Sequence, residues 1–291
     1  MASPFVSVII PVYNDTVRLK SCLHALEKQT YPPESYEVIV VDNGSDHPIE
    51  SVISDFTHAR SALEPDRGSY KARNRGIALS KGIILAFTDA DCIPSSNWIE
   101  RGALHLKNSR EFGIIGGKIE FFFRNPGRPS AIELYDSMFH LNNKQYIQKE
   151  NFSVTANMFV RKNIMDKVGS FDHNLKSSGD KDWGNRAAFS DFKLLYAEDV
   201  IVSHPARHSF VQLRKKSVRI VEGLKDMRRK QSLSPKNKFQ AIFIALLPPF
   251  ITVIRVGLSN RMRVVDIVKV IFISLALQYF KVKGLFGSTT D

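Results

Sequence analysis

The sequence predicts an α/β protein with an open, mostly parallel sheet that carries helices on both faces and continues into a helical carboxyl-terminal extension. Two observations lead to this prediction. Runs rich in β-branched residues alternate with stretches whose apolar residues have helical spacing, as in parallel sheets with crossover helices. The chain has 291 residues, 43% hydrophobic and 24% charged, which allows one large domain plus an extension and excludes a disordered protein.

The first part of the chain predicts a βαβαβ unit. "VSVIIPV" and "YEVIVVD" are the first two strands, and between them Val17, Leu19, Leu23 and Leu26 have helical spacing, although Leu19 fits the stripe less well. "SYKARNRGIALSKG" predicts a second helix that ends at Gly82, and "IILAFTD" predicts a third strand. In such units ligands bind beyond the carboxyl ends of the strands.

The second part has a mixed pattern. A helix over "SNWIERGALHLKNS" is followed by "GIIGGKIEFFF", by a longer helix around "AIELYDSMFHLNNKQYI" and by "NFSVTANMFVRK". "GDKDWGNRAAFSDF" then predicts a helix, and "KLLYAEDVIVSHP" a last strand. We therefore assign residues 1–206 to one domain, 207–238 to a basic helical segment and 239–291 to apolar helices.

The positive charge of the chain is concentrated in the basic segment. Of the formal net charge of +12, +9 falls between Arg207 and Lys238. Such a block is typical of a nucleic-acid surface, an anionic membrane surface or a solvated helix face. Aromatic residues do not alternate with the basic ones as a base-stacking surface requires, so we expect no nucleic-acid partner.

Two apolar segments follow the basic segment. Phe239 to Ile254 contains no charged residue, and Val264 to Phe280 contains only Asp266 and Lys269. Both are slightly shorter than the roughly 20 apolar residues that span a bilayer core, so they predict a membrane hairpin, interfacial helices or the core of an extra helical bundle. The neighbouring basic residues favour an anionic cytoplasmic leaflet. We expect the protein at the cytoplasmic face of a membrane, held peripherally or by a carboxyl-terminal hairpin.

The amino terminus and the cysteines agree with a reducing compartment. "MASPFVSVIIPVYN" lacks the basic region of a secretory signal peptide. Cys22 and Cys92 have neither the spacing of a zinc site nor that of a disulfide framework, so we expect both in the core.

Polar residues end all three predicted strands of the first part. Tyr13 and Asn14 follow the first strand, Asp42 to Ser45 the second, and Asp89 and Asp91 the third. Carboxylates at one sheet edge are ligands that Mg²⁺ and Mn²⁺ prefer, with phosphates completing the shell. There is no GxGxxG and no GxxxxGK[ST], so a dinucleotide site and a P-loop lack their main support. The sequence predicts a metal and nucleotide-diphosphate site.

Three basic residues lie on the second predicted helix. Lys71, Arg73 and Arg75 are close enough in sequence that one or more approaches a phosphate, but they cannot all face the same way. At least one of them therefore solvates the helix.

The ordered set "VSVIIPVYN", "VIVVDNGSD", "ARNRGI" and "FTDADC" resembles the nucleotide-binding half of the family 2 glycosyltransferases, which have the GT-A fold. The resemblance runs from about Val6 to His204. It implies a UDP-sugar donor with Mg²⁺ or Mn²⁺, and Asp91 as the direct metal ligand, with Asp89 at the ribose or donor sugar. The donor-binding positions that it implies are Pro11, Tyr13, Asn14, Asp42, Asn43, Arg73, Asn74, Asp89, Ala90 and Asp91.

The acceptor side of the resemblance lies in "GDKDWGNR". Asp180 falls on the position of the catalytic base and Asp182 on the second aspartate, and either is a candidate to take the proton. Arg186 falls on the family's arginine and Trp183 replaces its leucine, where the indole is either a sugar-stacking surface or core. Gly179 replaces the usual glutamate.

His204 ends the last predicted strand. By the resemblance it is a further metal or phosphate ligand beside Asp89 and Asp91, and a strand-end histidine packed for structure is the alternative.

The function expected from these residues is inverting transfer of a sugar to a glycan or lipid-linked acceptor, in polysaccharide or glycolipid biosynthesis. A carboxylate accepts the proton of the acceptor hydroxyl, and a cation stabilises the departing diphosphate. A sugar-phosphate nucleotidylyltransferase is the alternative enzyme, but "PVYNDT" lacks the Gly-rich loop it needs. Gly179 leaves open a non-catalytic nucleotide-sugar-binding protein. The sequence leaves the oligomeric state open.

Overall fold

The computed structural model describes residues 3–109, 111–230, 250–259 and 262–286. The chain divides into two compact units. Unit 1 comprises Met1–Glu120, Asn142–Asn174 and Gly179–His204, and unit 2 comprises Phe121–Leu141, Leu175–Ser178 and Pro205–Asp291. The predicted boundary at residues 206 and 207 stays a prediction.

The described part of the chain contains eight strands and eleven α-helices. The strands are β1 Val6–Val12, β2 Tyr36–Asp42, β3 Ala59–Leu63, β4 Ile84–Thr88, β5 Ile93–Pro94, β6 Phe112–Phe122, β7 Asn157–Arg161 and β8 Lys193–Pro205. The helices are α1 Thr16–Glu27, α2 Glu50–Ile53, α3 Ser69–Leu79, α4 Trp98–Asn108, α5 Ala131–Phe139, α6 Asn143–Glu150, α7 Lys162–Val168, α8 Gly179–Phe189, α9 Phe210–Lys230, α10 Phe250–Ser259 and α11 Val264–Phe286.

The strands form one open sheet in the order β3-β2-β1-β4-β7-β6-β8-β5. The pairs β1–β2, β1–β4 and β2–β3 are parallel, and the pairs β4–β7, β6–β7 and β5–β8 are antiparallel. The predicted α/β class is therefore confirmed as a mixed sheet with a parallel amino-terminal part. Because the parallel strands β1, β2 and β4 end at the same edge, their polar carboxyl ends lie together.

The structure differs from the sequence-based expectations at three places. The sequence "ARSAL" forms an additional strand, β3, at the end of the strand order, where a half-exposed edge strand needs no continuous apolar run. The long helix predicted around residues 131–147 divides into α5 and α6, because Leu141 between them has a positive φ of 55°. On α1, Leu19, Leu23 and Leu26 are buried, as their helical spacing predicts, whereas Val17 is 81% exposed and lies off the buried face.

Helix α3 lies directly on the sheet. A Cβ atom on Gly76 would fall 2.5 Å from Cγ2 of Ile9 in β1, so this close approach requires glycine. Arg73 lies about one turn earlier on the same helix. The glycine contact therefore fixes the distance between Arg73 and the sheet. Both cysteines are buried, as predicted.

Unit 2 has a core of its own, formed by side chains of α5, α9, α10 and α11. Its buried residues are Tyr135, Leu213, Val253, Ile267, Val270 and Leu277. The carboxylate of Asp136 lies in the same unit and is fully buried, with His140 Nδ1 2.6 Å from Oδ1 and the backbone N–H of Arg207 2.9 Å from Oδ2. Lys216 lies 3.9 Å from the same carboxylate. Two members of the predicted basic segment, Arg207 and Lys216, are therefore internal ion-pair partners.

Much of the predicted carboxyl-terminal tail lies outside the described residues. Residues 231–238 of the basic segment and 239–249 of the first apolar segment belong to this part. Among the helices that the structure describes, none is long and apolar enough to cross a membrane.

Candidate active site

The ends of β1 and β2 are joined by Asn14. Its backbone N–H donates to Ser45 Oγ at 2.9 Å, its Nδ2 donates to Asp46 Oδ2 at 2.8 Å, and its Oδ1 accepts the backbone N–H of Asp46 at 2.8 Å. Asn14 has a positive φ of 50°, a conformation that asparagine adopts more readily than most residues. The side chain thus locks two loops together at the edge of the sheet.

Asp42 and Asn43 also organise loops. Asp42 is buried, and its Oδ1 accepts the backbone N–H of Ser45 at 2.9 Å. Asn43 donates from Nδ2 to the carbonyl of Asp66 at 2.7 Å and accepts the N–H of Gly68 at 2.7 Å. Asn43 therefore holds the loop that leads into α3 against the end of β2.

Tyr13 is the exposed aromatic residue of this edge. Its side chain is 48% exposed, and the guanidinium of Arg67 lies over its ring at 3.8 Å from the centroid. Pro11 precedes it in β1 and pairs in register with Val41 of β2. The exposed ring of Tyr13 and the neighbouring guanidinium of Arg67 give this edge of the sheet a flat, polarisable surface.

The two aspartates of "DAD" have different surroundings. Asp89 Oδ1 lies 2.5 Å from Nη2 of Arg73, whose side chain is only 6% exposed. Asp91 instead has Oδ1 3.7 Å from Nε2 of His204, a buried histidine that ends β8. Ala90 between them is buried. Asp89, Ala90 and Asp91 lie in the turn that follows β4, and there the two carboxylates reach separate partners.

Asp91, Cys92 and His204 form a cluster of potential metal ligands. Their ligand-type atoms all lie within 4.8 Å of one another. Asp89, which the sequence predicted as a metal ligand, is not in this cluster. Cys92 is in the cluster, although the sequence did not predict it as a ligand. Burial, and after it the charges of Asp89 and Asp91, raises the pKa of the Cys92 thiol well above its ordinary value. The thiol therefore stays protonated, and the carboxylate and the imidazole are the better donors.

The three basic residues of α3 separate as their spacing requires. Arg73 is buried on Asp89, whereas Lys71 pairs with Asp66 at 2.9 Å and Arg75 is exposed. Burial leaves the Nε of Arg73 without a hydrogen-bond partner within the described structure. Of the three, Arg73 is the residue that faces the aspartates.

Asp180 lies in the first turn of α8, and its carboxylate is partly buried. Its Oδ2 accepts the backbone N–H of Thr155 at 3.2 Å, and the hydroxyl of Thr155 lies 3.4 Å from Oδ1. Burial raises its pKa above the ordinary value of 3.8, and the positive charge of Arg73 opposes that shift. Arg73 thus links Asp180 electrostatically to Asp89.

Gly179 is required by its contact with Tyr70. A Cβ at Gly179 would lie 2.6 Å from Cζ of the Tyr70 ring, and the N–H of Gly179 donates to the Tyr70 hydroxyl at 2.9 Å. Tyr70 is itself buried. The glycine at the family's glutamate position therefore has a steric reason in the fold.

Asp182 and Arg186 form an i,i+4 pair on α8. Arg186 Nε lies 3.1 Å from Asp182 Oδ2, and its two terminal nitrogens donate to the carbonyls of Val168 and Ser170 at 2.7 and 2.8 Å. The guanidinium thus ties α8 to the loop after α7. Asp182 already has this cation as a partner.

Trp183 and Asn74 both hold the segment after α7. Trp183 is 1% exposed and donates from Nε1 to the carbonyl of Gly169 at 2.8 Å, so its ring has no exposed face for a sugar. Asn74 exchanges two hydrogen bonds with the backbone of Phe171, at 2.8 and 3.1 Å. The Phe171 ring lies 5.7 Å from that of Tyr70 and 5.8 Å from that of Trp183. Trp183 and Asn74 therefore hold the segment of residues 169–171 in place.

The structure adds residues that sequence reasoning missed. Tyr70 and Thr155 contact Asp180, the former through its hydroxyl, which accepts the Asp180 backbone N–H at 3.4 Å, and Arg18 of α1 contacts Asp91 with Nη1 3.2 Å from Oδ2. No local pattern marks them, because each contact joins residues far apart in the sequence.

Comparison with known proteins agrees with this geometry. The family model described as glycosyl transferase family 2 matches residues 7–169, which include the ends of β1, β2 and β4. The glycosyltransferase AglE of Haloferax volcanii is 44% identical over 225 residues, covering 76% of this chain and 73% of the relative.

Solved structures show the same fold. The mannosyltransferase PcManGT from Pyrobaculum calidifontis, solved with GDP-Man and Mn²⁺, has a TM-score of 0.66 and 17% identity, covering 98% of this chain and 88% of the other. Residues 1–349 of S. aureus TarS, solved with UDP-GlcNAc, have a TM-score of 0.57 and 16% identity, covering 98% and 93%. The fold is GT-A-like, and the chain belongs to glycosyl transferase family 2 and is a glycosyltransferase.

Proposed function

We propose that this glycosyltransferase moves a sugar from a nucleoside-diphosphate donor, UDP-sugar being the donor to test first, to a hydroxyl of a glycan or lipid-linked acceptor with inversion at the anomeric carbon. The observation that carries the proposal is the presence of two separate carboxylate sites. Asp91 lies with His204, and Asp180 is partly buried and linked to Asp89 through the charge of Arg73. One site suits a metal and a leaving diphosphate, and the other suits an attacking hydroxyl.

The proposed metal is Mg²⁺ or Mn²⁺. The donor set fits, since a carboxylate from Asp91 and an imidazole from His204 are typical ligands of Mn²⁺, and phosphate oxygens and water complete its shell. When bound, the cation supplies positive charge to the leaving diphosphate. Asp91 and His204 hold it, and Asp89 accepts a hydroxyl of the donor sugar or ribose while Arg73 fixes its orientation.

The proposed nucleotide pocket lies at the ends of β1 and β2. Tyr13 has an exposed ring for the base, with Pro11 behind it, and Asp42 is a carboxylate at the strand end for the ribose. Asn14, Asn43 and Asn74 already use their amides on neighbouring loops, so we infer that they shape the pocket rather than contact the donor. Ala90 keeps the space between the two aspartates small.

The proposed general base is Asp180. Its raised pKa lies nearer to neutral pH than that of an ordinary aspartate, which favours proton acceptance from a hydroxyl. Asp182 is held by Arg186 and, with Trp183, supports the acceptor helix. The acceptor oxygen loses its proton to Asp180 and bonds to the anomeric carbon, while the bond to the diphosphate breaks on the opposite face, so the configuration inverts.

We further propose that unit 2 binds peripherally to the anionic cytoplasmic face of a membrane, where a lipid-linked acceptor would be found. Six large apolar side chains of α11 are at least 36% exposed and recur every three or four residues: Val265, Val268, Phe272, Leu275, Tyr279 and Val282. The opposite side of the helix, including Val270 and Leu277, packs into the unit 2 core. An exposed apolar stripe with basic residues nearby is typical of an interfacial helix.

The experiment that tests the transfer is release of nucleoside diphosphate from a panel of UDP- and GDP-sugars with Mn²⁺ and simple glycan or lipid-phosphate acceptors. NMR of the product reports the anomeric configuration. We expect UDP release that depends on added metal and a product of inverted configuration. Turnover that survives complete metal chelation, or retention of configuration, would contradict the proposal.

A further inference from the structure

The guanidinium of Arg18 bridges two carboxylates at the edge of the candidate site. Its Nη2 lies 2.5 Å from Asp15 Oδ2, and its Nη1 lies 3.2 Å from Asp91 Oδ2. Asp15 immediately precedes α1, the helix that carries Arg18, whereas Asp91 is 73 residues away in the sequence. The Arg18 side chain is 55% exposed, so it has room to leave one partner while it keeps the other.

Arg18 contacts Asp91, the residue that we propose as a metal ligand. Asp91 presents Oδ1 towards His204 and Oδ2 towards Arg18. A divalent cation on Asp91 would share that carboxylate with the guanidinium, and two cations on one carboxylate repel each other. Binding of the metal and the present position of Arg18 are therefore in competition.

The other cations of the site are held more firmly. Arg73 is almost completely buried against Asp89, and Arg67 lies over the ring of Tyr13. Arg18 is exposed, remains tethered by Asp15, and carries a planar set of N–H donors that matches phosphate oxygens.

We propose that Arg18 is a donor-binding residue that exchanges partners when the donor binds. Without metal it neutralises Asp91. When the metal and the donor bind, the guanidinium leaves Asp91, keeps its hydrogen bond to Asp15 and pairs with the diphosphate oxygens of the donor. This inference rests on the proposed function, because it requires a metal at Asp91.

The two halves of the exchange make opposite predictions for one variant. Arg18→Gln removes the competitor of the metal, so it should bind Mn²⁺ alone several-fold more tightly, as measured by the electron paramagnetic resonance signal of free Mn²⁺. The same variant loses the phosphate contact, so its affinity for UDP at saturating Mn²⁺ should fall about tenfold, while its affinity for uridine is unchanged. Arg18→Lys should show smaller changes in both directions.

Two controls separate the possible failures. Lys20→Gln, at an exposed position on the same helix and paired with Asp55 at 3.4 Å, should leave both affinities unchanged. Asp91→Asn tests the metal site itself. If the wild-type protein binds Mn²⁺ no better than Asp91→Asn, both the metal site and the role of Arg18 are overturned. If binding depends on Asp91 but Arg18→Gln and Arg18→Lys leave Mn²⁺ affinity unchanged or weaker, only the role of Arg18 is overturned.

Discussion

Arg73 and Asp89 form a short ion pair, with Nη2 2.5 Å from Oδ1, and the buried charge of Arg73 also lowers the pKa of Asp180. One cation thus acts on the donor-side aspartate and on the proposed base. Because burial alone raises the pKa of Asp180, the cation determines how far that pKa rises.

Replacement of Arg73 by Gln should therefore move the acidic limb of the pH–rate profile. Without the cation the pKa of Asp180 rises further, so the limb should shift to higher pH. The measurement is kcat/KM between pH 5 and 9. Arg75→Gln, an exposed position on the same helix, is the matched control and should leave the limb in place. If the acidic limb of Arg73→Gln does not shift, Arg73 does not influence the pKa of the general base.

Asp180→Asn and Asp182→Asn should differ strongly. Loss of a general base lowers kcat by about 10²–10⁴-fold, and we expect this for Asp180→Asn. Asp182→Asn weakens a partly exposed pair with Arg186 and should lower kcat far less. Steady-state kinetics with thermal melts of both variants check this. If Asp180→Asn and Asp182→Asn lose kcat equally at equal stability, Asp182 is again a candidate for the general base.

Gly179→Ala should destabilise the protein through Tyr70. The added Cβ would lie within 3 Å of three ring carbons, and overpacking of this kind costs about 1–3 kcal/mol. Tyr70→Leu in the same chain removes the ring and should recover part of the loss, as a double-mutant cycle in urea would show. If the losses of unfolding free energy in the two single variants are additive in the double variant, the added Cβ does not clash with the Tyr70 ring. Gly127→Ala, whose nearest neighbour is 3.6 Å away, is a control for the substitution itself.

The Asp136 cluster of unit 2 should make stability rise with pH. Burial lowers the pKa of His140 to about 4 from 6.5, so between these values the unfolded chain takes up a proton that the folded chain does not. Burial opposes ionisation of Asp136, but His140, Lys216 and Arg207 outweigh it and hold its pKa below 3.8. Stability should thus fall as pH falls from 6.5 to 4, by at most about 1.4 kcal/mol per pH unit from His140, and fall further below 3.8.

Urea unfolding at several pH values measures this slope. His140→Gln should flatten it between pH 6.5 and 4, whereas His173→Gln, at an exposed position, should not. Asp136→Ala should lower stability by about 3–5 kcal/mol at neutral pH, because it leaves buried cations without their carboxylate. If the pH dependence of the free energy of unfolding is unchanged in His140→Gln, groups other than His140 cause it.

Phe272→Asp should weaken binding to vesicles that contain anionic lipid. Phe272 is 66% exposed in the apolar stripe of α11, and loss of one buried phenylalanine costs about 1.5–3 kcal/mol, or tenfold or more in binding. Vesicle flotation measures this, with Phe189→Asp, a 92% exposed position in unit 1, as control. Release of UDP with a water-soluble acceptor should be the same in both variants. Equal flotation of Phe272→Asp and wild type would argue against this surface.

The class of the fold came from local patterns, and the list of candidate site residues came from strand ends together with the family resemblance. β-Branched runs ended by polar residues predicted β1, β2 and β4, because the requirements of a buried parallel strand act on neighbouring residues. The edge strand β3 has no such run, and it was missed. The break between α5 and α6 depends on the backbone of Leu141, which no periodicity marks.

The sequence by itself determined β1, α1, β2, α3 and β4 of the parallel part, the family resemblance and the candidate aspartates of the site. Only the tertiary structure decided which of Lys71, Arg73 and Arg75 faces Asp89, and that Arg18 contacts Asp91 across 73 residues and Tyr70 contacts Gly179 across 109. The physical reason is that secondary structure and motif spacing are set by interactions along the chain. Charge pairing and burial depend on which distant segments pack together, and no local pattern specifies those contacts.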